Sequence, residues 1–296
     1  DEAKLQQAYQ QLKDMYSGLA QQPALISEEA DLETSLQGGD CLVIVPMSGA
    51  VQKLILAAAA KYRTVILYPA YMKGNANQGL EAEMLKHNAA PTTMDCWAVL
   101  KRSHEHTCIA LNKQELAKCV RVFEAYTAMQ GATILLIGNT EPWVISNSSD
   151  LKQYEKLGIT IRQIEQEEVA QVYRTMTDRE STEFYRYFKG SEKEVVEPSD
   201  EDIRASCRMA AALLQVTEKY KADGIALACF NLLAEGTNCC LGVSYINDCT
   251  RYVASCEGDV DSAVTMLAMK QLASTKLWMA NPGLHPDGLI NFSHCT

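Results

Sequence analysis

Two acidic residues, Glu235 and Asp259, stand 24 positions apart, each shortly beyond an apolar run: "IALACF" (225–230) before the first, "RYVAS" (251–255) before the second. That interval fits one strand–loop–helix–strand unit, so parallel neighbouring strands would bring both carboxylates to one rim. Glu257 lies between the second run and Asp259, and His294 follows a further strand-like run, "LINFS". Two carboxylates and an imidazole form a hard, oxygen-rich donor set suited to Mn²⁺ or Mg²⁺. Such a cation can hold adjacent sugar oxygens and polarise a carbonyl while a carboxylate moves the proton. Spacing alone leaves a plainer reading open. Asp259 is then a first-turn acid against a helix macrodipole, Glu235 a solvated loop acid, and His294 a hydrogen-bonded strand-end residue.

Other nucleophile and phosphate chemistries have weaker signals. "PMSGAVQK" (46–53) has a single Gly and lacks the Lys-Ser/Thr of a phosphate loop, and no Gly-x-Ser-x-Gly elbow occurs. "RSHEHTC" (102–108) has His-x-His spacing, which is read as a surface pair before a strand. The eleven cysteines include no Cys-x-x-Cys pair. Their odd number and apolar settings predict free thiols in a cytoplasmic protein, and the group from Cys229 to Cys256 reads as small buried hydrophobes rather than metal ligands.

The elements that must position these groups alternate along the chain. Strands are expected at 41–45, 64–68, 107–111, 132–138, 159–164, 225–230, 251–255 and 289–293. Helices are expected at 50–62, 113–130, 151–157, 200–221, 237–248 and 259–273, with Asn112, Asp150 and Ser199 as N-caps. The stretch 178–202 is charged and poor in aliphatics, which predicts a surface excursion. Strands alternating with helices of this length indicate parallel sheets flanked by helices. In such sheets ligands bind beyond the carboxyl ends of the strands. The residues to watch there are Ser48, Tyr71, Asn139, Glu141 and Trp143, besides the acids already named.

With 296 residues the chain suits two domains, and a composition break near Gly131 divides it into 1–130 and 131–296. Its 47% hydrophobic and 22% charged content is that of a water-soluble globular chain with an ordinary core. The net charge of −10, without a dense Lys/Arg run, argues against a nucleic-acid partner. No apolar run is long enough to span a bilayer, so no membrane partner is expected.

The segment 223–272, "DGIALACFNLLAEGTNCCLGVSYINDCTRYVASCEGDVDSAVTMLAMKQL", resembles the core of the L-fucose/L-arabinose isomerase superfamily. "GNTEPWVISN" (138–147) and "LINFSHC" (289–295) are similar to neighbouring stretches of its members. The most specific piece is Cys256-Glu257-Gly258-Asp259. The resemblance implies two Rossmann-like domains, Mn²⁺ or another divalent cation, and aldose–ketose interconversion through an enediol. Glu235 matches the first metal-binding carboxylate of that family. The second matches Asp259 on the fucose-isomerase pattern or Glu257 on the arabinose-isomerase one, and the 24-residue separation favours Asp259. Glu235 and Asp259 would bind the metal and one would shuttle the proton. His294 is the candidate for a further ligand, Asn139 and Trp143 for lining the sugar, and a homo-oligomer is expected. Family members continue into a β-rich third domain that supplies another metal-binding His. The stop at Thr296 therefore implies a partial chain or a reduced relative, with weak Mn²⁺ binding and slow turnover. The alternative is a two-lobed sugar-binding or sensing protein without chemistry.

Overall fold

Alternating side chains in the apolar runs decide both layers of each sheet. The computed structural model describes residues 23–294 apart from 48, 70–88, 105, 146–149, 192–193 and 274, together with 6, 9–10 and 13. Ser48 and Tyr71 lie outside the described residues. The chain divides into two compact units, Asp1–Thr127 and Ala128–Thr296.

In the first unit, β1 (Gly39–Ile44), β2 (Tyr62–Leu67) and β3 (His106–Ile109) form a parallel sheet in that order. Val65 and Leu67 point to one face, where they pack with Ile55 of α2 (Gln52–Ala59) and with Cys96 and Leu100 of α3 (Ala89–Ser103). Ile66 and Tyr68 meet Leu116 of α4 (Lys113–Met129) on the other face. A short α1 (Glu29–Ser35) precedes them. The helix α4 begins as its sequence predicts. Asn112 Oδ1 accepts from the Glu115 N–H at 2.8 Å, and a Glu115 oxygen accepts from the Leu111 N–H at 2.8 Å.

The second unit holds a parallel sheet in the order β5–β4–β6–β7, made of β4 (Thr133–Ile137), β5 (Thr160–Ile164), β6 (Gly224–Leu227) and β7 (Val253–Ser255). Leu135, Ile137, Ile225 and Leu227 face Met209, Leu213 and Val216 of α7 (Asp200–Lys219). Ile134, Leu136, Ala226 and Val253 face Val260, Ala263, Val264 and Leu267 of α9 (Val260–Ala273). Both faces of the central strands are thus apolar, and each such buried side chain contributes roughly 2 kcal/mol relative to exposure. The helix α5 (Gln166–Thr175) follows β5, and α8 (Cys240–Cys249) packs beside α7. Ser199 caps α7 in a reciprocal capping box with Asp202. Ser199→Ala is therefore expected to cost about 1 kcal/mol of unfolding free energy, read as a lower urea midpoint at unchanged slope.

Two expectations need correction. The charged stretch 178–202 is not only a surface excursion, because it folds α6 (Thr182–Ser191). Phe184, Tyr187 and Phe188 recur at helical spacing and pack with Ile203, Cys207 and Ala210 of α7 and with Tyr245 of α8, so one aromatic face outweighs the charges around it. The run 289–293 does not extend a parallel sheet. It forms β9 (Ile290–Ser293), paired antiparallel with β8 (Asn281–Leu284) in a two-stranded ribbon. Among the described residues, no helix is long and apolar enough to cross a membrane.

Candidate functional site

The strand order of the second sheet contains a reversal. From β4 the chain passes to β5 on one side and then to β6 on the other. The carboxyl ends of β4 and β6 therefore flank a topological switch point, the place where ligands bind in open sheets of this kind. The loop after β4 carries Asn139, Thr140, Glu141 and Trp143. Beyond β6 a 3-10 turn runs over Cys229–Glu235. Beyond β7 lie Cys256, Glu257, Gly258 and Asp259.

The first and last of these loops are strapped together. The Glu141 N–H donates to the Glu257 carbonyl at 2.9 Å, and the Thr140 hydroxyl donates to the Gly258 carbonyl at 3.0 Å. The Trp143 indole N–H donates to Glu257 Oε2 at 2.6 Å, a charge-assisted bond. The Trp143 ring meets Phe230 edge to face, with centroids 5.2 Å apart, yet it stays 56% exposed as an open aromatic surface. Asn139 is exposed, and its Oδ1 accepts from Gln163 Nε2 at 2.9 Å. Glu257 and Gly258 both have left-handed backbones, φ 62° and 63°. For Glu257 this conformation costs of order 1–3 kcal/mol, which the straps to Glu141 and Trp143 help to hold.

Glu141 is the least expected member. It is only 7% exposed, and its Oε1 has no hydrogen-bond partner among the described residues. A buried carboxylate oxygen without a partner is costly and marks a place where a donor is wanted.

The predicted metal ligands are dispersed among other tasks. Glu235 and Asp259 do follow neighbouring strands, but each carboxylate turns to its own partner. Arg174 of α5 grips Glu235 with two donors, Nε to Oε2 at 2.9 Å and Nη2 to Oε1 at 2.5 Å. The Glu235 bonds, followed by those of Glu167, push the Arg174 guanidinium further above its usual range. Asp259 caps α9, accepting from the Ser262 N–H at 2.9 Å and the Ser262 hydroxyl at 2.7 Å. Glu257 holds Trp143, and exposed His294 shares a shallow pocket with Cys256, Glu257, Met279, Ala280 and Asn281. Their donor chemistry suits a hard divalent cation, but their arrangement does not. All four oxygens of Glu235 and Asp259 are engaged by donors, and no group of three or more His, Cys, Asp and Glu side chains is placed to hold a metal among the described residues.

Spacing could not reveal Arg174, because its partner lies 61 positions away. Cys229 was equally hidden. The Cys256 thiol donates to its sulfur, and the N–H groups of Glu257 and of Cys229 itself add to that. Against the opposing effect of burial, these bonds bring the Cys229 thiol down to about 7. Every described cysteine is a free thiol, as the sequence predicts.

Comparison of the chain with protein-family models gives no match, and comparison with curated proteins gives none. The resemblance to the sugar isomerases rests on the quoted residues alone.

Proposed function

We propose that the second unit binds a small sugar in the crevice between the ends of β4 and β6 and isomerises it between aldose and ketose. The observation that carries the sugar-binding half is Glu141, whose buried, unpartnered Oε1 lies in the switch-point loop two residues from the open face of Trp143. A sugar supplies what such a place lacks, hydroxyl donors for the carboxylate and an apolar ring face for the indole. Isomerisation is supported by the resemblance of 223–272 to the fucose/arabinose isomerases and by acids following three strands of one sheet. In this reading the resemblance makes Glu235, Asp259 or Glu257, and His294 the candidate ligands for Mn²⁺ or another divalent cation, which would supply carbonyl polarisation only in an arrangement other than the one described, with Asp259 released from Ser262 where it serves as ligand. Glu235 must first leave Arg174. A homo-oligomer in the cytoplasm belongs to the same proposal.

Binding without chemistry is the second reading, favoured by that Arg174 grip on Glu235. One experiment separates the two. The chain is titrated with pentoses and 6-deoxyhexoses with and without Mn²⁺, and each mixture is assayed for ketose. Ketose formation that depends on Mn²⁺ supports the isomerase. Saturable sugar binding with no ketose supports the binding protein, and no binding of any sugar ends both. Glu141→Gln is expected to weaken sugar binding about tenfold, because a carboxylate acceptor for hydroxyl donors becomes a neutral amide.

A further inference from the structure

We infer that the apolar face of the β8–β9 ribbon is a self-association surface, on which the same ribbon of a second copy of this chain packs across a two-fold axis. This gives a surface to the homo-oligomer included in the proposed function, and it stands whether or not the second unit binds a sugar.

The register of the ribbon sorts its side chains onto two unlike faces. Pro282 pairs with Phe292 and Leu284 with Ile290, so these four residues share one face. Asn281 pairs with Ser293 and Gly283 with Asn291, which puts small and polar residues on the other. The polar face is satisfied within the ribbon. The Asn291 side chain lies across Gly283, where a Cβ would collide with it, and its Oδ1 is hydrogen-bonded to His285 Nε2 at 3.1 Å. The apolar face has no such cover. Leu284 is 80% exposed, Phe292 59% and Ile290 55%, and Trp278 at the root of the ribbon is 62% exposed. Apolar and polar residues alternate in this way where one face of an antiparallel sheet is packed and the other solvated. Among the described residues β8 and β9 pair only with each other, and a two-stranded ribbon is marginal in water until another layer packs on it.

Symmetry, charge and area favour a second copy as that layer. An apolar ribbon face is complementary to itself, and a two-fold contact between identical faces closes at the dimer. Between Leu277 and His294 the only acid is Asp287, in the turn, and there is no Lys or Arg. Two chains of net charge −10 therefore meet with least repulsion there, and the face offers no charge by which to recognise an acidic or basic partner. The exposed parts of the apolar side chains come to about 500 Å² per copy and about 1,000 Å² in a pair, which reaches the lower bound of a specific interface. An interface of that size predicts a reversible dimer in the micromolar range. The ribbon is tied to the second unit at its root, where Met279 Sδ accepts from the Cys256 N–H at 3.4 Å.

Sedimentation velocity of the full chain from about 1 to about 100 µM tests this, and a monomer passing reversibly into a dimer is expected. The double variant Leu284→Ser/Phe292→Ser should raise the dissociation constant at least about tenfold. Leu289→Ser is the control. Leu289 is 65% exposed, but it adjoins the turn on the polar side, so its loss should leave the constant unchanged. A single monomer mass at every concentration overturns the inference. Protection of the ribbon amides from exchange in that monomer would assign the face to another part of the chain, and co-sedimentation of that monomer with phosphatidylcholine vesicles would assign it to a lipid surface. Growth beyond two copies overturns the closed dimer, as does a double variant that dimerises as tightly as the wild type. If the double variant fails to fold, hydrogen exchange of the wild type decides, because the amides of 281–293 must gain protection as concentration rises. None of these measurements involves a sugar, so their failure would leave the reading of the crevice standing.

Discussion

Replacing Gly258 by alanine is expected to remove about 3 kcal/mol of stability, the sum of two separable costs. The first is conformational. At φ +63° an L side chain is held in the left-handed region, which costs of order 1–2 kcal/mol. The second is steric. A Cβ at this position would stand 2.8 Å from both the Asn139 carbonyl oxygen and the Thr140 Cα, which are backbone atoms that cannot rotate away. Gly236 supplies the control. It has the same handedness, φ +75°, but nothing lies within 4 Å of its would-be Cβ. Gly236→Ala should therefore show the conformational cost alone, about 1 kcal/mol. Urea unfolding of both variants measures the difference. Equal losses would mean that the β4 and β7 loops separate freely, and the strapped rim described above would be wrong. A larger loss for Gly258→Ala, together with weaker sugar binding, would tie the close approach of these loops to the crevice.

How much of this was legible in the sequence follows from the range of each interaction. The strands announced themselves because "TVILY" and "ATILLIG" are buried on both faces, and a run of branched aliphatics is a local signal. Asn112, Asp150 and Ser199 are local too, since a cap satisfies donors two or three residues on. The helix α6 was obscured because the charges of the whole stretch 178–202 outnumber the three aromatics that decide its packing. The β8–β9 ribbon has a Pro286-Asp287-Gly288 turn that could have identified it. The switch point was not legible, because no residue states on which side of β4 the next strand will lie. Nor were the charges. Glu235 and Asp259 have the same type and spacing whether they face a cation, Arg174 or Ser262, and only the fold shows which donor reaches each of them first. Glu141 was visible as a strand-end acid, but its burial was not.

Arg174 and Glu235 then give opposite expected results if the isomerase reading holds. A guanidinium with two donors on one carboxylate occupies the oxygens a divalent cation needs, and its charge repels the cation as it enters. Arg174→Met keeps much of the side chain's apolar length while deleting that competitor, so Mn²⁺ should bind at least about tenfold more tightly. Glu235→Gln deletes the anionic ligand itself, and Mn²⁺ affinity should fall about 100-fold or more, with any Mn²⁺-dependent ketose formation lost alongside. The double variant should resemble Glu235→Gln, because without the carboxylate Arg174 has nothing to withhold. Calorimetric titration with Mn²⁺ alone reads all four proteins without requiring activity. A wild type and an Arg174→Met variant that bind Mn²⁺ equally weakly would leave the ion pair as a clamp between α5 and the turn after β6. The carboxylates would then serve the fold rather than a metal, and the binding protein would become the better account of the crevice.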